Sequence, residues 1–457
     1  MIAGRAAFAP APAAKADADA LVARFRDRSA LIGIVGLGYV GLPLVSAMSE
    51  KGLAVTGFDV DGAKVASLNQ GRSYIRHIPD RTVAALVERH KFRAATDFAE
   101  LAEVDAVLIC VPTPLTRHRE PDLSYIVQTT EAVAPHVRRG QLIVLESTTY
   151  PGTTRDVMKP ILERGGLKSG VDFFLAYSPE REDPGNTQFS TARIPKVVGG
   201  DGPDALRLAR ALYDQFVDGT VPVSNAETAE AVKLTENIFR AVNIALVNEL
   251  KVIYDAMGID VWEVIDAAKT KPFGFMPFYP GPGLGGHCIP IDPFYLTWKA
   301  HEYGIATRFI ELAGEINTRM PYHIVSRVAE TLDRKAGVSL SRASVLILGI
   351  TYKKNIDDMR ESPSLTLIQL LEARGARVEF YDPYIPVIPE TREHGHLTRR
   401  RSVDWSRETL AKFDVALIAT DHDAFDYNDL VTHAKLIVDT RNACGARGLT
   451  GEKIVKA

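Results

Sequence analysis

Short apolar runs alternate with longer amphipathic segments along this chain, and that alternation predicts an α/β protein. Residues 31–35, Leu-Ile-Gly-Ile-Val, form an apolar run that is too short for a helix and is typical of a buried parallel strand. A glycine-rich turn and a predicted helix over residues 42–51 follow, and a second apolar run over residues 54–58 ends at Asp59. This order of strand, helix and strand predicts a βαβ unit.

Similar apolar runs recur later in the chain. Residues 104–111 and 141–146 predict two more buried strands that end in polar residues. In the last third, residues 344–348 and 413–419 again predict strands, and the second of these runs is similar to residues 104–111. We therefore expect two Rossmann-like domains with doubly wound parallel sheets, each holding a nucleotide at the carboxyl ends of its strands.

Between these two regions, long helical periods predict a mainly α-helical segment. They cover residues 227–257 and 293–332, with a loop rich in glycine and proline between them. A helix of about thirty residues is longer than most, so we expect this segment to bridge domains or to contact a second subunit. The predicted organisation is a poorly ordered extension (1–30), in which residues 17–27 suit a short helix, followed by an α/β domain (31–224), a helical segment (225–334) and a second α/β domain (335–457).

Composition narrows the class of protein. The chain has 457 residues, 46% of them apolar, and a formal net charge of -3, which argues against nucleic acid or a membrane surface as its main partner. Three widely spaced cysteines argue against a disulfide framework and against clustered metal ligands, so we expect no metal and a cytoplasmic location. No apolar run approaches the ~18 residues of a membrane span.

The turn after the first predicted strand has the spacing of a dinucleotide-binding fingerprint. Gly36 permits the tight turn, Gly38 allows the main chain to approach a pyrophosphate, and Gly41 permits close packing of helix on strand. Asp59 can accept hydrogen bonds from ribose hydroxyls and repel a 2′-phosphate, which favours NAD over NADP. A tight turn without a ligand would explain the glycines but gives no reason for Asp59.

Cys288 lies in a second glycine-rich loop, over residues 283–292. A lone cysteine is more often a small buried hydrophobe than a catalytic group. Here the glycines before it expose backbone N–H groups, and Asp292 supplies a carboxylate four positions later. A thiol is needed when a dehydrogenase oxidises an aldehyde further, because a thiohemiacetal can release the second hydride. Cys110 and Cys444 are expected to be structural.

Two polar residues on the first long predicted helix are candidates for binding an oxyanion. Lys233 and Asn237 are spaced i, i+4 and therefore share one face. The spacing alone is equally consistent with a solvated polar stripe. The residues that follow are too apolar for a freely exposed helix, and a lysine at the edge of a buried helix can stabilise a developing alkoxide.

Charged residues in two loops have weaker support. Glu180 follows the strand predicted over residues 173–176, in a turn that could be only a solvated loop. Lys353, Lys354 and Arg360 follow the strand predicted over residues 344–348, where cations suit a diphosphate. A solvated charge cluster explains these three residues about as well.

Taken together, the motifs identify a family. In chain order they are the fingerprint at 36–41, Pro-Thr-Pro at 112–114, Glu-Ser-Thr at 146–148, Pro-Glu-Arg at 179–181, Lys-x-x-x-Asn at 233–237, Gly-Gly-x-Cys at 285–288 and Asp-x-Arg-Glu-Ser-Pro at 358–363. From residue 31 to residue 456 the chain resembles the UDP-glucose/UDP-N-acetylmannosamine dehydrogenase family. The segment over residues 283–299 is most similar to the UDP-N-acetylglucosamine 6-dehydrogenase branch.

This resemblance implies a role for each candidate residue. Cys288 would be the thiol nucleophile, Lys233 and Asn237 would hold the oxyanion, and Asp292 would handle protons together with Lys233. Glu180 would activate water for the hydrolytic step, with Thr148 orienting that water. The residues expected to contact the cofactor are Gly36, Gly38, Tyr39, Val40, Gly41, Asp59, Thr113 and Thr148. Those expected to contact the substrate are Glu180, Lys233, Asn237, Gly285, Lys353 and Arg360.

The implied reaction is a four-electron oxidation at C6 of a UDP-sugar that consumes two NAD and supplies precursors of surface polysaccharides. UDP-glucose dehydrogenases commonly place a lysine before the aspartate that follows the cysteine, whereas this chain has Ile291. We therefore expect UDP-N-acetylglucosamine as substrate, with UDP-N-acetylgalactosamine, UDP-N-acetylmannosamine and UDP-glucose as alternatives. The resemblance also implies a homodimer or a higher homo-oligomer.

Two other classes of protein share parts of this pattern. A two-electron dehydrogenase of the hydroxyacid type has the fingerprint and a helical second domain, but it has no use for Cys288 or for a second nucleotide domain. A non-catalytic NAD-binding regulatory protein would keep the fold for binding alone. Binding does not require the full set of polar residues described above, which argues against this second alternative.

Overall fold

The computed structural model describes residues 12–75, 78–116, 118–181, 192–286, 289–391 and 393–457. The chain forms two compact units. We call residues 1–236 with 298–304 the N-terminal unit, and residues 237–297 with 305–457 the C-terminal unit.

The N-terminal unit is built on one eight-stranded sheet. Its strands are Leu31–Val35 (β1), Ala54–Phe58 (β2), Phe92–Ala95 (β3), Ala106–Ile109 (β4), Leu142–Leu145 (β5), Phe174–Tyr177 (β6), Lys196–Gly200 (β7) and Thr220–Pro222 (β8). The spatial order is β3-β2-β1-β4-β5-β6-β7-β8, and every neighbouring pair is parallel except β6 with β7. Its helices are Pro12–Arg26 (α1), Gly41–Glu50 (α2), Gly62–Asn69 (α3), Asp80–Glu88 (α4), Ser124–Val133 (α5), Lys159–Leu162 (α6) and Pro203–Tyr213 (α7).

Both faces of this sheet are buried, as a doubly wound arrangement requires. Along β4, Ala106 and Leu108 pack into one apolar cluster, while Val107 and Ile109 pack into another. Since successive strand residues point to opposite faces, these two clusters lie on the two sides of the sheet. The central strands therefore consist of continuous apolar runs, which is why they could be predicted from the sequence.

Helix α1 corrects the prediction of a poorly ordered extension over residues 1–30. Residues 12–26 form a helix whose apolar positions 18, 21, 22 and 25 recur at helical spacing and are buried. They belong to the same apolar cluster as Leu208 and Leu212 of α7. Arg24 also donates a hydrogen bond to the buried carboxylate of Asp105 over 2.5 Å. The short helix expected over residues 17–27 is therefore present but begins earlier, and the prediction of poor order is wrong for residues 12–26.

The C-terminal unit contains a five-stranded parallel sheet. Its strands are Ser344–Leu348 (β9), Arg377–Tyr381 (β10), Val415–Ile418 (β11), Ile437–Asp439 (β12) and Ile454–Lys456 (β13), in the order β10-β9-β11-β12-β13. The remaining helices of the chain are Ala226–Met257 (α8), Val261–Ala268 (α9), Asp292–His301 (α10), Arg308–Ala336 (α11), Pro363–Ala373 (α12), Arg407–Lys412 (α13) and Tyr427–His433 (α14).

The two units repeat the same loop after their first strand. In the N-terminal unit, Gly36 has a φ of 92°, and the residue after it donates its N–H to Asp59 over 3.0 Å. In the C-terminal unit, Gly349 has a φ of 81°, and the residue after it donates its N–H to Asp382 over 2.7 Å. The weak repeat in the sequence therefore corresponds to a duplicated loop, although only the first copy has the full glycine fingerprint.

Of the two long helices predicted for the middle segment, one is observed as predicted and the other is divided in two. The helix predicted over residues 227–257 is present as α8, and the division between the two units falls within it, after Glu236. The helical period predicted over residues 293–332 is divided into α10 and α11. Gly304 lies at the break with a φ of 70°, a conformation that ends a helix and that glycine adopts at little cost.

Candidate active site

The loop after β1 has the geometry that a bound pyrophosphate requires. A Cβ added to Gly36 would lie 2.6 Å from the carbonyl oxygen of Cys110, and one added to Gly41 would lie 1.9 Å from the carbonyl oxygen of Gly36. Gly38 faces open space, so its main chain is accessible to a ligand. Tyr39 and Val40 complete the turn, and α2 begins at Gly41, so the positive end of its helix dipole lies at this turn. These residues fit NAD.

Asp59 has a structural role in addition to the one predicted. It is buried at the end of β2, and its two carboxylate oxygens accept the N–H groups of Leu37 and Asp61, each over 3.0 Å. Each carboxylate oxygen has a second lone-pair direction, which fits a ribose diol. The sequence analysis missed Tyr74, whose hydroxyl donates a hydrogen bond to the carbonyl of Leu37. Burial and the nearby carboxylates raise the pKa of Tyr74, so this hydroxyl keeps its proton.

Two predicted cofactor contacts follow neighbouring strands of the N-terminal sheet. Thr113 is buried in the Pro-Thr-Pro segment after β4, and Thr148 is half-buried after β5. Ser147 donates a hydrogen bond to the carbonyl of Val111 over 2.7 Å, which ties these two strand ends together. Thr113 and Thr148 therefore lie at the carboxyl edge of the sheet, where doubly wound folds bind ligands.

The loop that follows Thr148 is held by Glu230, another residue that the sequence analysis missed. Glu230 lies on α8 and is fully buried. Its carboxylate accepts the N–H groups of Gly152 and Thr154 over 2.5 and 2.9 Å, and the hydroxyl of Thr154 over 2.6 Å. Because one carboxylate accepts three hydrogen bonds from this loop, it fixes the conformation of the loop.

Within the N-terminal unit, Lys233 and Glu180 are in contact. The ammonium group of Lys233 donates a hydrogen bond to the main-chain carbonyl of Glu180 over 2.5 Å, and Lys233 is only 8% exposed. Arg181, which follows Glu180 in the sequence, forms a salt bridge of 2.6 Å with Glu236. Two ionic groups of α8 thus hold the segment that contains Glu180. Lys233 is not part of a solvated polar stripe.

The carboxylate of Glu180 contacts a buried lysine that the sequence did not single out. Lys196 Nζ lies 3.2 Å from Glu180 Oε2 and 2.6 Å from Glu146 Oε2. Glu146 belongs to the Glu-Ser-Thr motif, but Lys196 is fifty positions away in the chain. Only the pairing of β6 with β7 brings the segment that begins at Lys196 next to the segment that leads to Glu180.

Asn237 and Asp292 meet within the C-terminal unit. Asn237 Nδ2 donates a hydrogen bond to Asp292 Oδ2 over 2.5 Å, and both residues are buried. Asp292 is the first residue of α10, where a carboxylate is favoured by the helix dipole. The amide predicted to hold an oxyanion is therefore directly bonded to the carboxylate predicted to handle protons.

The glycine-rich loop is tightly packed up to Gly286. A Cβ added to Gly285 would lie 2.6 Å from Tyr352 Cβ, and Gly286 donates its N–H to the carbonyl of Arg360 over 3.0 Å. His287 and Cys288 lie outside the described residues. The role of Cys288 as the nucleophile therefore stays a prediction from the sequence. The nearby Arg441, which the sequence analysis missed, lies 3.5 Å from the carbonyl of Pro280.

Two of the three cations predicted for the substrate diphosphate, Lys353 and Arg360, differ in their surroundings. Lys353 is half-buried, whereas Arg360 is exposed. Arg360 forms a close ion pair with Asp358, with nitrogen–oxygen distances from 2.6 to 3.0 Å. This pairing satisfies part of the guanidinium and holds it in one orientation. The structure places both residues in the loop after β9, at the carboxyl edge of the second sheet.

Cys110 and Cys444 are buried, as structural cysteines are. Burial and the nearby Glu146 hold the pKa of Cys110 well above its usual value. Burial and the nearby Asp439 raise the pKa of Cys444 to about 12. Both thiols are therefore protonated and poorly reactive at neutral pH.

Two features are absent from the residues that the structure describes. None of the helices in this part of the chain is long and apolar enough to span a bilayer. Across the same ranges, there is no group of three or more His, Cys, Asp or Glu residues placed to bind a metal ion.

Comparison with known proteins matches all three parts of the chain to one family. The models of the UDP-glucose/GDP-mannose dehydrogenase family match residues 30–217 as the NAD binding domain, 227–319 as the central domain and 346–446 as the UDP binding domain.

Individual relatives are similar to this chain over most of their own length. The UDP-N-acetyl-D-glucosamine 6-dehydrogenase of Pseudomonas aeruginosa is 36% identical over 80% of this chain and 85% of its own. The NDP-N-acetyl-D-galactosaminuronic acid dehydrogenase of Ralstonia nicotianae is 35% identical over 91% and 96% of the two chains. The structure of the UDP-D-ManNAc dehydrogenase from Pyrococcus horikoshii superposes with a TM-score of 0.84, at 34% identity over 93% and 98%. The chain is an NAD-dependent oxidoreductase that belongs to the UDP-glucose/GDP-mannose dehydrogenase family.

Proposed function

We propose that this enzyme oxidises the C6 hydroxymethyl group of a UDP-N-acetylhexosamine to a carboxylate, with UDP-N-acetylglucosamine as the preferred substrate. The hydrogen bond between Asn237 and Asp292 is the observation that carries the proposal, because it joins an oxyanion donor to a proton-handling carboxylate in a buried site. The names of the relatives support an N-acetylated sugar, since all three act on one. Ile291, in place of the lysine common in UDP-glucose dehydrogenases, supports the same class.

In the first oxidation, the alcohol at C6 must lose a proton and a hydride. NAD, when bound, would supply the hydride acceptor for each of the two oxidations. Lys233 stabilises the alkoxide that develops at O6, and Asn237 donates a hydrogen bond to the same oxygen. Asp292, together with Lys233, takes up the proton that leaves this oxygen, and Asp292 also orients the Asn237 amide by a hydrogen bond.

In the second oxidation, Cys288 acts as a nucleophile. Its thiolate adds to C6 of the aldehyde and forms a carbon–sulfur bond, which gives a thiohemiacetal. Loss of a hydride from C6 and of the proton on O6 converts this adduct into a thioester. The resting thiolate is the more reactive form, so this step needs a cysteine whose pKa lies below that of the other two thiols.

Hydrolysis then releases the product. Glu180 accepts a proton from a water molecule that Thr148 orients, and the oxygen of that water attacks C6. The carbon–sulfur bond breaks, the thiolate of Cys288 leaves, and a carboxylate forms at C6. Lys233 holds the main chain of Glu180 in place during this step, which suits a base that must act on one water molecule.

The proposal includes a homodimer formed through the central helical segment. Five large apolar side chains of α8 are exposed in a single chain: Phe239, Leu246, Val252, Ile253 and Met257. Exposed apolar side chains concentrated on one long helix are typical of an interface. Sedimentation equilibrium should give about twice the mass of the chain, and a monomer at micromolar concentration would contradict this part of the proposal.

The test of substrate choice compares NADH formation with UDP-GlcNAc, UDP-GalNAc, UDP-ManNAc and UDP-glucose. We expect the highest kcat/KM for UDP-GlcNAc and a uronic acid as its product. A higher value for another sugar would reassign the substrate within the same chemistry. Absence of NADH formation with all four sugars, although NAD binds, would favour a non-catalytic binding protein instead.

A further inference from the structure

Three ionisable side chains of the N-terminal unit are buried together beneath the segment that contains Glu180. Lys196 begins β7 and its side chain is 3% exposed, while Glu146 follows β5 and is fully buried. The Glu180 side chain is 13% exposed and lies three positions after β6. One cation is thus shared between two carboxylates in a region from which water is largely excluded.

The contacts of Lys196 use its full hydrogen-bonding capacity. Its ammonium group donates to Glu146 Oε2 over 2.6 Å, to the carbonyl of Pro179 over 3.1 Å and to Glu180 Oε2 over 3.2 Å. An ammonium group has three donors, so each has one acceptor. The other oxygen of Glu146 accepts the hydroxyl of Tyr213, which fixes the far side of the cluster.

The Glu180 carboxylate is held at both oxygens. Oε2 faces Lys196, and Oε1 accepts the N–H of Arg181 over 2.7 Å. A base restrained in this way needs little reorganisation before it takes a proton from water. The water it activates is part of the proposed function, so the inference that follows rests on that function.

We propose that Lys196 is a positioning residue for the hydrolytic step, which orients the Glu180 carboxylate and keeps it ionised, and that Glu146 limits this effect by competing for the same ammonium group. Lys196 does not touch the substrate in this scheme. It acts only through Glu180, and the antiparallel pairing of β6 with β7 places it there.

The charges of the cluster agree with this assignment. Burial raises the pKa of Glu146, and the ion pair with Lys196 opposes this rise. Burial works against the charged form of Lys196, but the two carboxylates outweigh it and the pKa of Lys196 is raised. The cation therefore persists at neutral pH. Among the residues that the structure describes, the other ionisable groups around Glu180 are Arg181 beside it, Cys110 after β4, Tyr213 on α7, and Lys233 and Glu236 on α8.

Two substitutions should move the pH dependence of hydrolysis in opposite directions. In Lys196→Met, Glu180 loses its cation and faces Glu146 directly, so it binds a proton at higher pH and the acid limb moves up by about one unit or more. In Glu146→Gln, Lys196 serves Glu180 alone, so the acid limb moves down. Lys168→Met, which removes an exposed lysine from the same unit, is the matched control.

The experiment is a single-turnover reaction of the full-length enzyme with NAD and UDP-GlcNAc between pH 5.5 and 9. Rapid quenching followed by intact-protein mass spectrometry measures the covalent sugar adduct, and absorbance measures NADH. We expect Lys196→Met to accumulate the adduct at neutral pH and to hydrolyse it about 10²-fold more slowly, because a mispositioned base loses most of its contribution. NADH formation should stay close to that of the native enzyme and of Lys168→Met.

An unmoved acid limb in a folded Lys196→Met, or an equal loss in NADH formation and in hydrolysis, would overturn the inference. If Lys196→Met does not fold, Glu146→Gln carries the test, and a limb that stays in place or moves up would have the same consequence. Failure of the proposed function is recognised separately. In that case the native enzyme forms no adduct, or Glu180→Gln hydrolyses the adduct at the native rate.

Discussion

Asn237 and Asp292 are joined by a hydrogen bond of 2.5 Å between two buried side chains. The bond connects the middle of α8 to the first residue of α10, four positions after Cys288 in the sequence. An amide held by a carboxylate keeps one orientation, so its direction is set before the substrate binds. This relationship fixes two of the proposed catalytic groups relative to each other.

Asn237→Ala should impair catalysis far more than it impairs folding. We expect kcat to fall by about 10²–10³, the usual effect of removing one donor to a developing oxyanion. The unfolding free energy should fall by about 1–3 kcal/mol, since Asp292 loses a buried partner. Steady-state kinetics and urea unfolding measure the two effects. Asn243→Ala, on the same helix, is the control, and equal kinetic losses in both variants would refute the role of Asn237.

The three cysteines should differ sharply in reactivity. Cys110 and Cys444 are buried with raised pKa values, so a native protein at pH 8 should react quickly with a thiol reagent at one residue only. The Cys288→Ser variant should lose this fast phase and still bind NAD. Peptide mapping after brief labelling identifies the modified residue. Rapid labelling of Cys110 or Cys444 in the folded protein would contradict the structure.

Asp59 should determine the choice of cofactor. In Asp59→Asn, we expect the KM for NAD to rise about tenfold, because the ribose loses a charged acceptor and Leu37 loses a charge-assisted bond. Discrimination against NADP should weaken at the same time, because a 2′-phosphate no longer meets a carboxylate. Asp61→Asn, two positions later, keeps a helix-capping side chain and is the control. An unchanged ratio of NAD to NADP activity in Asp59→Asn would be evidence against this role.

Helix α1 should contribute to the stability of the N-terminal unit. Phe25 is fully buried there, so Phe25→Ala should lower the unfolding free energy by about 3–5 kcal/mol. Arg26→Ala, at the exposed end of the same helix, should change it by less than about 0.5 kcal/mol. Chemical denaturation monitored by circular dichroism provides the comparison. Similar values for the two variants would show that α1 does not pack as described.

The sequence predicted the central strands well because burial on both faces leaves only apolar residues. The bounds of Leu31–Val35 and Ser344–Leu348 agree at both ends. The predicted strand over residues 104–111 shortens to Ala106–Ile109, since apolar residues continue into the loop where pairing stops. Helix α1 was expected only as a short helix over residues 17–27 in a poorly ordered extension, because the alanine- and proline-rich start gave no sign that its narrow apolar stripe is buried. Both errors lie where the composition of a segment suggests one structure and the spacing of its buried residues produces another.

The candidate site was predicted in part. The family resemblance pointed to Glu180, Lys233, Asn237 and Asp292 as candidates, and the structure brings them together in pairs within each unit. Lys196 could not be found in this way, because it meets Glu146 and Glu180 only through strand pairing. A buried cation between two acids leaves no periodic signal in the sequence. Local motifs can point to candidate reacting groups. The residues that position those groups, such as Lys196, are brought to them only by the fold.

The most direct test of the account is the amount of NADH formed for each UDP-N-acetylglucosamine consumed, measured at completion with limiting sugar. A thiohemiacetal route predicts about two NADH per sugar and a uronic acid as the only sugar product. The Cys288→Ser variant should form no acid under the same conditions. One NADH per sugar with an accumulating aldehyde, or native rates of acid formation without the thiol, would contradict the account.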